Sequence, residues 1–391
     1  MPLTTPAAAP ARIHWTEAGQ ERSARWRSES GMPAPKKVVI ADDKTPADVA
    51  YRLACEGTAL LWRGDFQNAR QLLQALARRA DSRGKGSAPK RRAAKAPRVP
   101  ASPAEAFHLH RQAQSQRART LAMLLLPFDT DYTIPLRRAP DVKLACNEAY
   151  GRFDEPFVAS MRELLGVIGA HEWRKNGVQI ADLEERIHPH YGVFSPIRGE
   201  YVGLVANAPL PPHAKVAFDI GTGTGVLAAL LARRGLPHIV ATDMDPRALS
   251  CARENLQRLG LDQVELMQAD LFPDRRADLI VCNPPWLPGR PSSSIENAVY
   301  DPDSRMLRGF LAGAASHLAP GGEAWLILSD LAEHLGLRPR EELMAWIAAG
   351  GLTVIARHDV RPTHPRASDA DDPLHAARSA ELTSLWRLAA R

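Results

Sequence analysis

The residues best suited to chemistry in this chain are Asn283-Pro284-Pro285-Trp286, which follow a short apolar stretch. The side-chain oxygen of Asn283 and a backbone carbonyl such as that of Pro284 can each accept an N–H from a planar amide or aromatic amine. Two such bonds draw the nitrogen lone pair out of conjugation and stabilise positive charge that develops on the nitrogen. The prolines stiffen the loop, and Trp286 offers a flat face to a planar group. The tetrapeptide therefore predicts chemistry at a planar nitrogen; taken alone, it also fits a turn that carries a core tryptophan.

A glycine loop, Asp219-Ile220-Gly221-Thr222-Gly223-Thr224-Gly225, precedes the tetrapeptide, with Asn283 58 positions after Gly225. Glycines that follow a strand and open a helix permit a tight turn and let a ligand lie against bare backbone. Many nucleotide-binding folds use such a loop, so the signal is weak without its context. The residues predicted to bind a nucleotide-like cofactor are Asp219, Gly221, Thr222, Gly223, Gly225 and, at the border of the pocket, Asn283.

Two further carboxylates close the strands that follow the glycine loop. Asp243 lies 22 positions after Gly221, a spacing that suits hydrogen bonds to ribose hydroxyls. Asp270 ends the third strand and is predicted to meet an adenine amino group, or else to cap a turn. The charge of Asp219 suits a sulfonium and an ammonium group better than a pyrophosphate. The pattern therefore favours S-adenosylmethionine as cofactor, with NAD as the alternative.

The elements around these residues alternate between strand and helix, which is typical of an α/β fold with a doubly wound, mainly parallel sheet. Such sheets bind ligands at the carboxyl ends of their strands. The predicted strands are 216–220, 239–242, 264–268, 279–282, 324–328, 352–356 and 383–388. The predicted helices are 226–234, 246–259, 307–318 and 340–348.

The segment Ile280 to Trp286 resembles the [N/D]-P-P-[Y/F/W] motif of amino-group methyltransferases, and residues 188–330 resemble the small-domain class I methyltransferases. Residues 193–200 are similar to the segment that precedes the glycine loop in glutamine methyltransferases and helps to cover the cofactor. The resemblance implies a Rossmann-like seven-stranded methyltransferase domain over residues 188–391, with S-adenosylmethionine as cofactor. Its implied catalytic residues are Asn283, Pro284, Pro285 and Trp286.

The same resemblance implies methyl transfer to a planar nitrogen of a translation-related macromolecule. The acceptor would be a glutamine of a release factor or ribosomal protein, or an RNA base. Glutamine methyltransferases typically have tyrosine where this chain has Trp286, so the acceptor stays open. Two other functions also stay open, a NAD-dependent oxidoreductase and a non-catalytic RNA-binding protein on a methyltransferase fold.

The upstream half predicts a mainly helical, basic region. We expect an irregular arm over residues 1–45, helices over 46–80, a basic linker over 81–103 and a helical domain over 104–187. Residues 1–150 contain 25 Lys and Arg against 14 Asp and Glu, a net charge of +11, whereas the remaining residues contain 25 and 30, a net charge of −5. This asymmetry indicates either an RNA or ribosomal partner or a solvated basic arm.

Other features argue against several protein classes. No apolar run approaches the roughly 20 residues that span a bilayer, and the first residues lack the apolar core of a secretory signal. The four cysteines form no C-x-x-C pair, and His188 and His190 lack a third ligand at usable spacing, so no metal site is predicted. A cytoplasmic setting fits best. The long loop over residues 361–379 is expected to be a mobile surface loop or a lid over the substrate.

Overall fold

The computed structural model describes residues 11–82, 100–197, 199–291, 294–363, 369–370 and 372–391. The chain divides into two compact units. Unit 1 comprises residues 1–98 and 111–171, and unit 2 comprises residues 99–110 and 172–391. No helix within the described ranges combines the length and the apolar character needed to cross a membrane.

Helices and strands alternate through most of the described chain. The α-helices are α1 (Ala47–Cys55), α2 (Phe66–Ser82), α3 (Pro103–Leu121), α4 (Lys143–Tyr150), α5 (Met161–Asn176), α6 (Glu200–Asn207), α7 (Val226–Arg233), α8 (Pro246–Arg258), α9 (Arg305–His317), α10 (Leu331–His334), α11 (Arg340–Ala349) and α12 (His375–Ala380). The strands are β1 (Arg12–Glu17), β2 (Gln20–Trp26), β3 (Lys37–Ala41), β4 (Thr58–Trp62), β5 (Leu124–Phe128), β6 (Phe157–Ser160), β7 (Val178–Ile180), β8 (Glu185–Ile187), β9 (Val216–Ile220), β10 (His238–Asp243), β11 (Val264–Gln268), β12 (Ala277–Cys282), β13 (Leu287–Pro288), β14 (Tyr300–Asp301), β15 (Leu318–Ser329), β16 (Leu352–Val360) and β17 (Thr383–Ala390).

Unit 2 is built on a seven-stranded sheet in the order β11-β10-β9-β12-β15-β17-β16. The first five strands run parallel, and β17 runs antiparallel to both β15 and β16. The doubly wound α/β fold predicted from the sequence is therefore confirmed. Apolar runs such as that of β12 form such strands because helices bury both of their faces.

Successive residues of β12 point into two different hydrophobic cores, as the pleat of a strand requires. Leu279 and Val281 pack with α6 and α7 on one face of the sheet. Ile280 and Cys282 pack with α9 and α11 on the other face. The sheet therefore holds its strand ends rigidly between two helical layers.

A predicted break between a helix and a strand in unit 2 is wrong. The sequence 320–322, Pro-Gly-Gly, predicts a break between a helix and a strand that begins at residue 324. Instead β15 begins at Leu318 and includes these residues, with Gly321 at a φ of +76°. Glycine adopts this left-handed conformation without steric cost, so the strand continues through a local irregularity.

Unit 1 contains a six-stranded sheet in the order β1-β2-β6-β5-β4-β3. The prediction of an irregular arm over residues 1–45 is therefore wrong for the described residues. The prediction of a mainly helical region holds by residue count but misses this sheet. β1 and β2 form a hairpin whose turn residues Ala18 and Gly19 both have positive φ, as tight hairpins require. In β1 only Ile13 and Trp15 are buried, and such a brief two-residue alternation among charged neighbours resembles irregular chain.

The helices predicted over 46–80 and 104–187 exist, but strands interrupt them. β4 separates α1 from α2, β5 follows α3, and β6 precedes α5. All five residues of β4 are buried. A short, continuously apolar run cannot be told from a buried helix by its periodicity, which explains the error.

The predicted domain boundaries also shift. Unit 2 begins at residue 172 and includes 99–110, so the predicted start at 188 is too late and the predicted domain over 104–187 is divided between the units. Most of the predicted linker, residues 83–99, lies outside the described residues, as do residues 1–10. In the loop over 361–379, residues 364–368 and 371 also lie outside them, and α12 begins within that loop. Its role as a lid stays a prediction.

Candidate active site

Two loops leave the carboxyl edge of the unit 2 sheet side by side. Ile220, the last residue of β9, pairs with Cys282, the last residue of the parallel neighbour β12. Gly221 follows the first and Asn283 the second. The structure therefore brings together the glycine loop (residues 221–225) and the Asn-Pro-Pro-Trp loop (residues 283–286), because the carboxyl ends of parallel strands share one edge of a sheet.

The glycine loop needs glycine for two different reasons. Gly221 has a φ of +74°, and a Cβ there would lie 2.5 Å from Cε of Met306 at the start of α9. Gly225 has a φ of +82°, and a Cβ there would lie 3.2 Å from Cβ of Ala252 on α8. The loop thus combines left-handed backbone with close packing, and it presents main chain rather than side chains to the crevice.

Asp219 lies beneath this loop and organises it. Its Oδ2 accepts hydrogen bonds from Thr222 Oγ1 at 2.7 Å and from the amide of Ala228 at 3.0 Å. The side chain is buried, and burial raises its pKa to about 6 despite these two bonds. Asp219 and Thr222 therefore act on the conformation of the loop, and any effect of the carboxylate on a ligand is exerted from beneath it.

Asp243 closes β10 and is tied to the same loop. One carboxylate oxygen accepts from the amide of Gly223 at 3.0 Å, and the other accepts from the amide of Asp245 at 2.9 Å. Partial burial raises the pKa of Asp243, with nearby Asp245 acting in the same direction. Each oxygen keeps a second lone pair, so the carboxylate can still accept hydroxyl groups of a ligand.

Asp270 follows β11 and is exposed. Its carboxylate forms an ion pair with Arg305 at the start of α9, a partner that sequence spacing does not indicate. The next residue, Leu271, has a φ of +77°, and its carbonyl accepts from Thr242 Oγ1 at 2.6 Å. A left-handed leucine is strained, and such strain concentrates at functional sites.

The Asn-Pro-Pro-Trp loop is held by bonds within and around it. Trp286 Nε1 donates to Asn283 Oδ1 at 2.8 Å. Pro284 is buried, and Asn283 is half-buried. Behind the loop, the buried Arg338 donates through a long 3.4 Å contact to the carbonyl of Trp286. The sequence pattern gives no reason to single out Arg338.

Two buried polar atoms in the segment that precedes the glycine loop have no hydrogen-bond partner among the residues that the structure describes. They are Ser195 Oγ and Glu200 Oε1. Burial raises the pKa of the nearby Tyr201, and the charges of Asp219 and Glu200 raise it further. Both carboxylates therefore lie near one tyrosine, and this part of the site has uncompensated capacity to accept hydrogen bonds.

The paired histidines that precede this segment have separate partners. His188 Nδ1 contacts the carbonyl of Arg174 at 2.6 Å, and His190 Nε2 contacts Glu254 at 2.7 Å. No group of three or more potential metal-ligating side chains lies together within the described ranges.

Residues 184–340 match the model of the methyltransferase small domain family. The chain is 38% identical over 149 residues to the release factor glutamine methyltransferase of Cereibacter sphaeroides. This alignment covers 33% of this chain and 51% of the relative. It is 34% identical over 147 residues to the tRNA1(Val) (adenine(37)-N6)-methyltransferase of Shewanella loihica, covering 34% of this chain and 60% of the relative. The chain thus spans about half to three fifths of the length of these relatives.

Among solved structures, a methyltransferase from Pyrococcus furiosus aligns with 59% of this chain and 99% of its own, at 18% identity and a TM-score of 0.40. The fold assignment accordingly rests on the strand order and the family match. The matched range contains the glycine loop, Asp243, Asp270 and the Asn-Pro-Pro-Trp loop. Residues 184–340 of this chain are therefore similar in sequence to the methyltransferase small domain.

Proposed function

We propose that this chain is an S-adenosylmethionine-dependent N-methyltransferase that acts on a planar amide or amino nitrogen. The observation that carries the proposal is the pairing of Ile220 with Cys282. That register sets the cofactor-type glycine loop next to an asparagine able to hold a nitrogen acceptor. Neither loop alone would specify the chemistry.

The residues present fit S-adenosylmethionine. Gly221 has a left-handed φ and no side chain, so a ligand can lie against bare backbone there. Asp243 can accept ribose hydroxyls, and Asp270 stays our candidate for the adenine amino group. Ser195 Oγ and Glu200 Oε1 lack hydrogen-bond partners within the described part of the chain. They suit the ammonium end of the cofactor, because buried acceptors need donors. When bound, the cofactor supplies an electrophilic methyl group on a sulfonium.

The Asn-Pro-Pro-Trp loop would hold the acceptor. Asn283 Oδ1 and the carbonyl of Pro284 each accept one N–H, which turns the nitrogen lone pair away from the π system. Both acceptors are preplaced by the strand end and the prolines, so they stabilise the positive charge that develops on nitrogen without reorganisation. The proton is lost to water after transfer, so no side chain with an unusual pKa is needed.

The proposed acceptor is a macromolecule of the translation apparatus. The names of the two relatives specify a release factor glutamine and a tRNA adenine, and both groups present a planar nitrogen. Residues 1–150 carry a net charge of +11, which supports contact with RNA or the ribosome. If this contact exists, binding to ribosomes weakens steeply with rising salt.

Transfer of labelled methyl groups from S-adenosylmethionine to ribosomes, release factors and total RNA tests the proposal. We expect Asn283→Ala to lower transfer by about 100-fold or more, as for other preplaced oxyanion or charge-stabilising groups. Asn207→Ala, at the exposed end of α6, is the matched control and should leave transfer unchanged.

Calorimetry with S-adenosylmethionine and with NAD shows which cofactor binds, independently of methyl transfer. We expect binding of the first ligand by both wild type and Asn283→Ala. Binding of NAD alone, or full transfer by Asn283→Ala, would refute the proposal.

A further inference from the structure

The indole of Trp286 is positioned to control the side chain of Asn283. Trp286 Nε1 is a hydrogen-bond donor only, and it lies 2.8 Å from Asn283 Oδ1. The bond joins two residues three positions apart in the same loop. It therefore fixes which end of the Asn283 carboxamide points toward the indole.

The orientation of this carboxamide matters because its two ends have opposite hydrogen-bonding character. The oxygen accepts, whereas the NH₂ group only donates. With Oδ1 directed to the acceptor side, Asn283 receives an N–H from the acceptor nitrogen. A rotation of about 180° would direct NH₂ there instead, and two donors would face each other.

The indole itself is held firmly. Trp286 is half-buried and packs against both hydrophobic cores of the unit 2 sheet. Its backbone carbonyl accepts from the buried Arg338. The sequence suggests that Trp286 stacks on the acceptor; the structure adds that the half-buried ring packs against both cores and that its N–H bonds to Asn283.

We propose that Trp286 is a positioning residue that sets the Asn283 carboxamide with its oxygen available to the acceptor N–H. Oδ1 has two lone pairs, so it accepts from the indole and from the acceptor together. This inference rests on the proposed function. It assigns the tryptophan a role that a phenyl or phenol ring at the same position could not perform in the same way, since neither has an N–H at that point.

The proposal is tested by making one substitution at Trp286 in two proteins, one with Asn283 and one with Asp at this position. Trp286→Phe removes the N–H and keeps an aromatic ring. Asn283→Asp replaces the carboxamide by a carboxylate whose two oxygens are equivalent, so its orientation no longer matters. The effect of Trp286→Phe is then compared between the wild-type background and the Asn283→Asp background, by kcat and by KM for S-adenosylmethionine.

With Asn283 present, we expect Trp286→Phe to lower kcat by about 3- to 10-fold. This factor corresponds to the net stabilisation that one neutral hydrogen bond provides. KM for S-adenosylmethionine should stay within about twofold. In the Asn283→Asp background the same substitution should change kcat by less than about twofold. Equal factors in both backgrounds would overturn the positioning role, because a purely structural loss does not depend on which side chain stands at position 283.

Trp325→Phe is the matched control. Trp325 is buried in β15 and donates its Nε1 to Glu323 at 2.8 Å, so the change also removes one indole hydrogen bond. We expect it to lower thermal stability and to affect kcat equally in both backgrounds.

A measurement that needs no activity completes the test. The indole N–H resonance of Trp286 is identified as the one lost in Trp286→Phe. We expect it to shift in Asn283→Ala and to exchange faster with solvent. An unchanged resonance would show that the bond does not form in solution. Absence of methyl transfer by an intact wild type would instead refute the proposed function, and with it the catalytic meaning of the bond.

Discussion

At the scale of single residues, Asp219 shows how burial changes the contacts expected of a carboxylate. The sequence suggests a charge that faces the cofactor. The structure places it beneath the glycine loop, bonded to Thr222 and to the amide of Ala228. Its influence on a bound cation is therefore exerted through the loop and through its own protonation state.

The raised pKa of Asp219 predicts a pH dependence of stability. Burial raises the pKa from 3.8 to about 6, so the folded state disfavours the ionised form. The contribution of Asp219 to the free energy of unfolding is full below its unfolded-state pKa of 3.8 and is lost as pH rises through about 6. About two pKa units correspond to about 3 kcal/mol. Denaturant unfolding between about pH 3 and 8, a range that spans both pKa values, should show this fall in wild type relative to Asp219→Asn. Parallel pH profiles of the two proteins would contradict it.

Arg338 is a second residue whose burial has a measurable consequence. Burial lowers its pKa, and its Nε has no hydrogen-bond partner among the described residues. Replacing a poorly compensated buried charge by an apolar side chain of similar volume is often neutral or stabilising by about 1–4 kcal/mol. We therefore expect Arg338→Met to unfold at the same or a higher denaturant concentration, while methyl transfer falls because the Trp286 carbonyl loses its donor.

Arg340→Met provides the comparison for this substitution. Arg340 is partly exposed and pairs with Glu333 at 2.8 Å. Its loss should lower the free energy of unfolding by about 1 kcal/mol or less and leave transfer unchanged. A large loss of stability in Arg338→Met would show that the buried guanidinium is well compensated after all.

At the scale of elements, the glycine loop joins β9 to α7 and sets how closely α7 approaches α8. Gly225 and Gly235 both have left-handed φ, +82° and +91°. Only Gly225 of these two faces a neighbour, Ala252 at 3.2 Å, whereas a Cβ at Gly235 would meet nothing within 4 Å. The two positions share the backbone penalty and differ in packing.

This difference makes a prediction about alanine substitutions. Gly235→Ala should lower the free energy of unfolding by about 1–2 kcal/mol, the cost of a left-handed L-residue. Gly225→Ala should lower it further, because the new methyl also displaces α8. Denaturant unfolding of both variants measures the difference. Equal losses would mean that α8 moves aside without cost.

The elements of unit 2 are largely predictable from the sequence, because short apolar segments such as those of β10 and β12 alternate with segments of helical periodicity. β9 and β11 have the predicted bounds. The helices of unit 1 are also predictable, but its strands are not, because β4 and β5 are as apolar as buried helix turns and β1 is mostly polar or charged. Whether such segments pair as strands depends on partners distant in sequence, such as β6 for β2.

At the scale of the whole molecule, residues 99–110 belong to unit 2 although unit 1 sequence lies on both sides of them. Phe107 is buried there against Leu287, next to the Asn-Pro-Pro-Trp loop, and against Leu331 and Leu335. Tyr300 lies with its ring centroid 6.4 Å from that of Phe107. A segment remote in sequence thus packs beside the Asn-Pro-Pro-Trp loop, the proposed catalytic part of the site.

Phe107→Ala should therefore destabilise unit 2. Removal of a buried phenylalanine typically costs about 3–5 kcal/mol. We expect faster amide hydrogen exchange at residues 331–335 and in the Asn-Pro-Pro-Trp loop. Leu144→Ala, at a side chain that is 63% exposed, should change stability by less than about 0.5 kcal/mol. Unchanged amide exchange in Phe107→Ala would show that Phe107 does not stabilise this loop.

The sequence alone determined the parallel sheet of unit 2 and the positions of the glycine loop and the Asn-Pro-Pro-Trp tetrapeptide, because apolar runs and turn residues encode these features locally. Tertiary structure decided the bond from Trp286 to Asn283, the ion pair of Asp270 with Arg305 and the inward position of Asp219. It also decided the sheet of unit 1 and the place of Phe107. These contacts depend on side-chain direction and on pairing between distant segments, neither of which periodicity along one chain records.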